Sequence, residues 1–574
     1  MNAAAGTNGI GWYSANQATL VDWQLVNGAI YDANSVETDP LYANAPGGNF
    51  TPTNPSAGDF GAVLGVLTDI NGAARSATTP DPGAIEFVPP SCAQPSALNV
   101  PTFTGFTADL AWTENGTATT WDIEWGTAGF TPTGTPTIIG TTTNPHQISG
   151  LTPLTNYDFY VRANCGGPTS LWSGPFTFIT GCATQLAGTY TIGTAGNYLT
   201  FTDAVNDLIS CGISAPVIFN VITGSGPFNE QITIPQILGT SAINTIIFNG
   251  NGEIITSTTT TAARSIILLD GADHVTFDSL VVQTQSITNN FAIQLTNNAD
   301  SNTINNCIID LSSALTSTSS TNAGIVVSGS LTSATTAGAS GAYNTITNNH
   351  IIGGYYGLTI NGASSTSESM NNVIDNNIIE DFYFYGTYLR SISNSSISFN
   401  DISRPNRTSV STFYGLYFIT GGESNTIEGN RLHDPFRGLG GVSTSAAYLV
   451  YYSSVDATVG NENRVINNLI YNINSNGTVY ALYNIGSDGV HYFHNTISLD
   501  DQNATGGTTR GFYQTTTASN IEFVNNIVTV TRTGSGAKHC LYFNTTTSTI
   551  VSNNNVLYTP TGTNNTGYFG GNQN

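Results

Sequence analysis

Lysine is almost absent from this sequence. Lys538 is the only lysine among 574 residues, charged residues of all kinds make up 8% of the chain, and the formal net charge is −24. Binding to nucleic-acid phosphates or to anionic lipid requires clusters of Lys and Arg. We therefore expect no nucleic-acid partner and no attachment to an anionic membrane.

Long hydrophobic runs are also missing. No stretch of 18 or more apolar residues occurs, so we expect no membrane insertion. The first residues, MNAAAGTNGIGWYSANQ, lack the basic region and the apolar core of a signal peptide. The composition is nevertheless typical of an extracellular, cell-surface protein, so either a signal peptide was removed or the chain is an internal fragment, and we favour the fragment.

The patterns of metal and redox sites are missing as well. The six cysteines include no C-x-x-C pair, and the seven histidines show no metal-ligand spacing. No cofactor is predicted, and a structural calcium ion is left open.

The residues in excess are those of strands and tight turns. Hydrophobic residues make up 39% of the chain and aromatic residues 10%, with 61 glycines and many Thr, Ser and Asn residues. Such a chain folds, and its β-branched residues and turn formers favour strands. A length of 574 residues exceeds one compact core, which a solenoid avoids by growing in one dimension.

The two ends of the sequence resemble each other. Residues 7–17 read TNGIGWYSANQ and residues 563–573 read TNNTGYFGGNQ, an offset of 556. Chance within a biased composition is one interpretation. The other interpretation is that the sequence is one unit of a tandem array. Residues 1–90 would then form the end of the preceding solenoid, and neighbouring repeats of the same chain would be its partners.

Residues 18–90 contain a motif that resembles the C-terminal end of bacterial parallel β-helix surface proteins. The resemblance rests on LTDINGAARSATTPDPGAIEF, with Asp69, Gly72, Arg75, Asp81, Gly83, Ala84 and Glu86. It implies an end cap in which Arg75 can bridge carboxylates. Acid–base catalysis by the paired Asp and Glu is the alternative, but no second catalytic feature accompanies them.

Residues 91–181 show the pattern of a β-sandwich. LAWTE and WDIEW read as strands, and ISGLTPLTNYDFYVRANC (148–165) resembles the signature of fibronectin type III modules. Such a sandwich buries a Trp and anchors a corner Tyr, and Trp112 and Tyr157 are the candidates. We expect a spacer module, with a binding role as the alternative.

Residues 182–574 are predicted to form a right-handed parallel β-helix of about ten coils. FTDAVNDLISCG (201–212) has the apolar spacing of a helix that would cover the first coil. After residue 240 an Asn recurs two residues before Ile, Val or Leu, at spacings of 23 to 43 residues. One solenoid coil with variable loops explains this period, and the amides can pair along the stack. The predicted ladder is Asn306, Asn349, Asn377, Asn400, Asn430, Asn468, Asn495, Asn526 and Asn555.

A second motif recurs earlier in each coil, as in YGTYL, YGLYF and SAAYL. Its second position is small and its fourth is Tyr. Strand alternation places these two positions on one face, so the sequence predicts an outward tyrosine stripe beside a groove of small residues. Three interpretations of the stripe are open. The tyrosines stabilise the sheet by stacking along the solenoid, they form a platform on which sugar rings lie, or they face inward and belong to the hydrophobic core. Its predicted members are Tyr388, Tyr417, Tyr448, Tyr483, Tyr513 and Tyr542.

Four cysteines lie in or beside the sandwich and the capping helix. An extracellular chain pairs such cysteines, and four allow three pairings. We favour Cys92–Cys165 and Cys182–Cys211, with Cys307 and Cys540 as buried free thiols.

Catalysis is an alternative function, because parallel β-helices include pectin-type lyases and hydrolases. A hydrolase needs facing carboxylates, whereas the acidic residues after residue 240 are scattered. The only feature typical of a lyase is an arginine cluster, which loop pairing also explains. We therefore expect that the chain is not an enzyme and that it has no catalytic residues. The cluster is Arg390, Arg404, Arg407, Arg431 and Arg437.

Taken with LTPLTNYDFYVRANCG and PDPGAIEF, the segments resemble the large repeat-bearing surface adhesins of Bacteroidota, which are exported by type IX secretion and include gliding-motility adhesins. The resemblance implies an extracellular filament or stalk that attaches to surfaces or polysaccharide. The alternative is a polysaccharide-degrading β-helix with an accessory sandwich.

Overall fold

The computed structural model describes residues 9–13, 15–26, 31–88, 92–338, 341–560 and 564–573. It divides into two compact units, Met1–Thr184 and Gln185–Asn574. Strands dominate both. No helix among these residues is both long and apolar enough to cross a bilayer.

The first unit begins with a small antiparallel hairpin, Gly11–Tyr13 and Ala15–Gln17, followed by the helix Leu20–Leu25. Within residues 31–88 the only helices or strands are the short 3₁₀ turns Ala45–Gly47 and Pro55–Ala57. The predicted cap motif closes on itself: Arg75 contacts the Glu86 carboxylate at 3.2 Å and donates to the Asp81 and Gly83 carbonyls. Its role as the end of a preceding solenoid stays a prediction.

A seven-stranded β-sandwich completes this unit, in agreement with the predicted fibronectin-III-like fold. Trp112 is buried and its ring contacts that of Trp121 at 5.4 Å, while the Tyr157 hydroxyl accepts a hydrogen bond from the Thr152 N–H at 3.0 Å. Cys92 and Cys165 form a disulfide. One sheet contains Ser96–Asn99, Thr107–Thr113 and His146–Ser149, and the other contains Ile138–Thr141, Trp121–Thr127, Asn156–Ala163 and Ser173–Ile179.

The second unit is a parallel β-helix whose coils each visit three sheets, here called A, B and C. Sheet A contains Leu186–Ile192, Ile213–Val221, Ile246–Asn249, Val275–Asp278, Thr303–Asn305, Thr345–Thr347, Val373–Asp375, Ser396–Ser398, Thr426–Glu428, Asn463–Ile466, Val490–Phe493, Ile521–Val524 and Ile550–Asn553. Sheet B contains Phe228–Asn229, Ile254–Ser257, Val281–Thr284, Ile308–Leu311, His350–Gly353, Ile378–Glu380, Asp401–Ser403, Arg431–His433, Leu469–Tyr471, Thr496–Leu499, Ile527–Val530 and Val556–Tyr558.

Sheet C carries the face on which the candidate site lies. It contains Ile232–Pro235, Ser265–Asp270, Asn290–Thr296, Asn322–Val327, Tyr356–Asn361, Tyr385–Arg390, Phe413–Ile419, Ala447–Ser453, Val479–Ile485, Thr509–Thr515, Lys538–Phe543, Asn564–Phe569 and Asn572–Gln573. The last strand is antiparallel to its neighbour. The short pair Ser369–Met370 and Ile392–Ser393 and the 3₁₀ turns Ser312–Ala314 and Arg437–Leu439 lie in the connections.

The predicted helix forms over Phe201–Cys211, with Thr200 and Asp203 in a capping box and Gly212 at a positive φ of 64°. Its apolar side, including Phe201, packs over the first coil against Phe228 and Phe248. Cys182 and Cys211 are both disulfide-bonded, which confirms the predicted bridge. Cys307 and Cys540 are buried free thiols.

The predicted coil number was too low, since sheet A of the described solenoid has thirteen strands rather than about ten. The first coils were missed because they carry stacked phenylalanines instead of the Asn motif, as Phe219–Phe248 at 4.9 Å and Phe248–Phe277 at 5.1 Å show. At about 4.8 Å per coil the stack is about 60 Å long.

Eight of the nine predicted ladder asparagines form one continuous ladder between sheets A and B. The side-chain oxygen of each accepts from the backbone N–H of the previous one, as Asn400 does from Asn377 at 3.0 Å. The members are Asn349, Asn377, Asn400, Asn430, Asn468, Asn495, Asn526 and Asn555.

The ninth prediction, Asn306, was wrong by one residue. Asn306 is exposed and adopts a positive φ of 53° at the bend. Its neighbour Cys307 takes the ladder position, and the Cys307 N–H donates to the Asn349 side chain at 2.9 Å. The pattern misled because Ile308, two residues after Asn306, points outward and Ile309 points into the core.

Candidate functional site

Two columns of tyrosine side chains lie on the outward face of sheet C. The parallel strand register of sheet C places each of these tyrosines beside the tyrosine of the neighbouring coil. Twelve of the 26 tyrosines in the chain belong to these columns. The first column is Tyr356, Tyr385, Tyr414, Tyr448 and Tyr480, and the second is Tyr388, Tyr417, Tyr451, Tyr483, Tyr513, Tyr542 and Tyr568. We call this surface the tyrosine face.

One predicted stripe residue was placed in the wrong column. Tyr448 pairs with Tyr414 and Tyr480 in the first column, and Tyr451 takes the predicted position in the second. Strand Ala447–Ser453 has a tyrosine at both outward positions, Tyr448 and Tyr451. The short sequence motif could therefore be aligned with either column. The other five predicted tyrosines share the second column.

The small residue of the motif faces inward, contrary to the prediction of an outward groove. Gly386 and Thr387 are both buried between Tyr385 and Tyr388, so the strand departs from simple alternation there. A Cβ at Gly386 would lie 2.7 Å from the Gly415 carbonyl oxygen and 2.9 Å from the Ile402 side chain. The position is small because the next coil passes close to it.

The rings of the second column stack on one another along the solenoid. Ring centroids are 4.9 Å apart for Tyr417–Tyr451 and 4.7 Å apart for Tyr451–Tyr483, with interplanar angles of 30° and 10°. The columns also touch each other, as in Tyr480–Tyr483 at 5.1 Å. Most of these rings are half-buried, whereas Tyr417 is buried with 9% of its surface exposed.

Burial changes the acidity of these phenols. It raises the pKa of the Tyr356 hydroxyl to about 12, assisted by Tyr355. Burial and the neighbouring tyrosines also raise the pKa of Tyr414, Tyr417 and Tyr483. These four phenols therefore stay protonated to higher pH than an exposed tyrosine.

The first column of the tyrosine face has a defined limit at each end, whereas the second column continues through Tyr542 and Tyr568. Toward the first coils, the Ala334 carbonyl accepts hydrogen bonds from Thr359 and Asn361, and Ala334 packs in the cluster that buries Tyr356. Toward the last coils, Arg510 takes the place of a first-column tyrosine. Its guanidinium carbon lies 3.9 Å from the Tyr513 ring centroid and 3.6 Å from that of Tyr542.

A polar cleft of about 140 Å³ lies at the corner between sheets C and A. Asp300 and Glu368 both line it. Burial and the neighbouring Asp273 raise the pKa of Asp300, although the Ala342 N–H donates to it at 2.7 Å. Burial, with the charge of Glu423, raises the pKa of Glu368. Sequence reasoning missed this pair because 68 residues separate the two carboxylates.

Two members of the predicted arginine cluster, Arg404 and Arg407, are buried and do not form an accessible basic site, whereas Arg431 and Arg437 are exposed. Arg404 is fully buried and donates to the carbonyls of Tyr383 at 2.8 Å, Pro435 at 2.9 Å and Ser411 at 3.0 Å. Arg407, 1% exposed, also donates to backbone carbonyls. Both side chains tie loops together, so the loop-pairing interpretation holds for them.

No protein-family model matches the chain, and no curated protein matches it. Several solved structures align with it, including these three. The Dettilon tailspike protein (gp208) is 12% identical over 61% of this chain and 64% of its own length, with a TM-score of 0.38. The Agl-KA catalytic domain is 12% identical over 81% and 83%, with a TM-score of 0.34. A family 28 exopolygalacturonase of Yersinia enterocolitica is 11% identical over 83% and 100%, with a TM-score of 0.23.

One expectation is corrected by these structures. The sequence predicted that the chain is not an enzyme, yet the solved structures that it resembles include a catalytic domain and an exopolygalacturonase. The β-helix therefore gives no ground for excluding catalysis. At these identities and TM-scores the likeness carries no argument about activity or substrate.

Proposed function

We propose that this chain is a polysaccharide-binding attachment module of an extracellular surface protein, and that the tyrosine face is its binding surface. The observation that carries the proposal is the pair of tyrosine columns on sheet C. Over the seven coils of the second column, at about 4.8 Å each, the face extends for about 30 Å. An elongated, repeating ligand matches such a surface.

The chemistry of the face favours a carbohydrate over a polyanion. The chain has a net charge of −24 and only 12 Lys and Arg residues, which opposes binding of nucleic acid. Half-buried tyrosines combine apolar ring edges with hydroxyl groups. Sugars offer the complementary C–H groups and hydroxyls.

The stacking of the rings decides how a sugar would contact them. Where one tyrosine covers the face of the next, as in Tyr451–Tyr483, a sugar ring cannot lie flat between them. Binding then depends on ring edges and on hydrogen bonds to the phenol oxygens. This predicts that removing hydroxyls weakens binding even when the rings remain.

The test is affinity electrophoresis of the full chain through gels that contain a neutral glucan, a mannan or a polygalacturonan. We expect at least one polysaccharide to retard the chain, and the double variant Tyr451→Phe/Tyr483→Phe to weaken retardation at least tenfold, since each lost hydrogen bond is worth about 1 kcal/mol. Tyr471→Phe on sheet B is the matched control. The proposal fails if no polysaccharide retards the chain or if the double variant binds unchanged.

Cleavage of a polysaccharide is the second candidate function, and the Asp300–Glu368 cleft favours it. Carboxylates whose pKa values are raised in a cleft are candidate general acids, and glycoside hydrolysis uses two carboxyl groups. Release of reducing ends from one of the polysaccharides, abolished by Glu368→Gln while retardation in the gel persists, would support it. If no polysaccharide releases reducing ends, this candidate fails and the binding proposal is unaffected.

A further inference from the structure

Two hairpins far apart in the sequence have the same strand register. In the first, Gly11 pairs with Gln17 and Trp12 with Asn16. In the second, Gly567 pairs with Gln573 and Tyr568 with Asn572. Each residue of the first hairpin corresponds to the residue 556 positions later, the same offset that relates the two sequences. Thr7, Asn8 and Thr563, which also match, lie outside the described residues.

The two hairpins differ in what borders them. Strand Asn564–Phe569 pairs in parallel with Lys538–Phe543 and so continues sheet C. Strand Gly11–Tyr13 pairs, within the described part of the chain, only with Ala15–Gln17 in a two-stranded sheet. An open strand edge of this kind is a template for pairing with another chain.

The segment that follows the first hairpin exposes many apolar side chains. Val36 is 50% exposed, Phe50 53% and Leu64 83%. The last coil of the solenoid is also apolar at its surface, with Val551, Val556 and Tyr558 each more than half exposed. Covering both surfaces would remove apolar area from water, which stabilises association.

We infer that the Gly11–Gln17 hairpin of one copy of this chain takes the place of the Asn564–Gln573 hairpin in a second copy. Strand Gly11–Tyr13 then pairs in parallel with Lys538–Phe543 of that copy. The register follows from the offset: Gly11 lies opposite Leu541 and Tyr13 opposite Phe543, as Gly567 and Phe569 do within one chain.

The exchange joins different surfaces of the two copies, so it is head-to-tail. Such a heterologous contact generates open chains of copies unless the rotation closes a ring. It also brings residues 18–88 of one copy to the exposed last coil of the next. The proposed partner is therefore a second copy of this chain, and the interaction does not depend on polysaccharide binding.

The test is a pair of cysteines in the full chain, Tyr13→Cys and Phe543→Cys, in a Cys540→Ala background. Neighbouring parallel strands are about 4.8 Å apart, a Cα separation that a disulfide spans. After mild oxidation we expect a ladder of linked dimers and higher species on a non-reducing gel. Tyr13→Cys with Val551→Cys, on the same coil but in sheet A, is the control that should not link.

Three results would overturn the inference. They are the absence of linked species, a link formed within one chain so that the product stays monomeric, and equal linking in the control pair. A second measurement removes residues 563–574, which frees the edge of Lys538–Phe543. Sedimentation velocity should then show association at least tenfold tighter than that of the full chain, and unchanged association would contradict the exchange.

Discussion

Tyr483 lies face to face with Tyr513, their ring centroids 4.7 Å apart and their planes 11° from parallel. Tyr451 covers the other side of Tyr483 at the same distance. Both faces of this ring are therefore occupied by its neighbours. The ring contributes to the stability of the stack, and its hydroxyl and outer edge remain for a ligand.

Replacing Tyr483 by Ala should destabilise the solenoid by about 1–3 kcal/mol. The substitution removes two stacked contacts, each worth about 0.5–1.5 kcal/mol. Urea unfolding followed by circular dichroism measures the loss. Tyr483→Phe keeps the ring and should unfold within about 0.5 kcal/mol of the unmodified chain, so an equal loss in both variants would contradict the stacking argument.

Asn400→Ala should cost more than any single ring, about 2–5 kcal/mol. The Asn400 side chain accepts from the Asn377 N–H at 3.0 Å and donates to the Ile374 carbonyl at 2.9 Å. Both backbone groups lose this buried partner in the variant, and each unsatisfied group costs about 1–3 kcal/mol.

The matched control for the ladder is Asn306→Ala. Asn306 is exposed and outside the ladder, so the variant should lose only about 1 kcal/mol, the cost of placing Ala at this positive φ of 53°. Urea unfolding of both variants makes the comparison. If Asn306→Ala costs as much as Asn400→Ala, the ladder is not what stabilises the corner between sheets A and B.

The period of the solenoid could be predicted because one corner repeats the same need in every coil. A buried bend requires a side chain that satisfies backbone groups, and Asn supplies it. A second ladder at the corner between sheets C and A was missed, although it follows the same rule. Its members lie five residues before the first ladder: Asn302, Asn344, Asn372, Ser395, Asn425 and Asn463.

Features that depend on chain path rather than on local pattern could not be predicted. Strand alternation assigned the small residue of the tyrosine motif to the outer face, whereas two consecutive inward residues separate Tyr385 from Tyr388. The Asp300–Glu368 cleft likewise forms only when loops from different coils meet. No short-range periodicity encodes either feature.

Arg404→Lys should destabilise the solenoid by about 3–5 kcal/mol. The guanidinium donates to three carbonyls and its carbon lies about 5 Å from the Phe413 and Phe436 ring centroids. Lysine cannot reproduce this planar arrangement and leaves buried carbonyls unpaired. Thermal unfolding measures the effect, with the exposed Arg437→Lys as the matched control. A small effect in Arg404→Lys would show that the loops do not depend on the guanidinium.

The stability of the solenoid should depend on pH through His433. Its Nε2 lies 2.9 Å from the Asp401 carboxylate and its Nδ1 lies 2.8 Å from that of Asp434. Burial by itself lowers the pKa of His433, but the two carboxylates outweigh burial and raise it above its ordinary value. The folded state thus binds a proton more tightly than the unfolded state.

The sign of the pH effect follows from that difference. The stabilisation is fully present below the unfolded pKa of about 6.5 and is lost as pH rises through the raised pKa. His433→Gln should therefore destabilise the solenoid more at about pH 5.5 than at about pH 8.5, as measured by urea unfolding at both values. His494→Gln, at an exposed histidine, is the control. If the cost of His433→Gln is the same at both pH values, the paired carboxylates do not hold a proton on this imidazole.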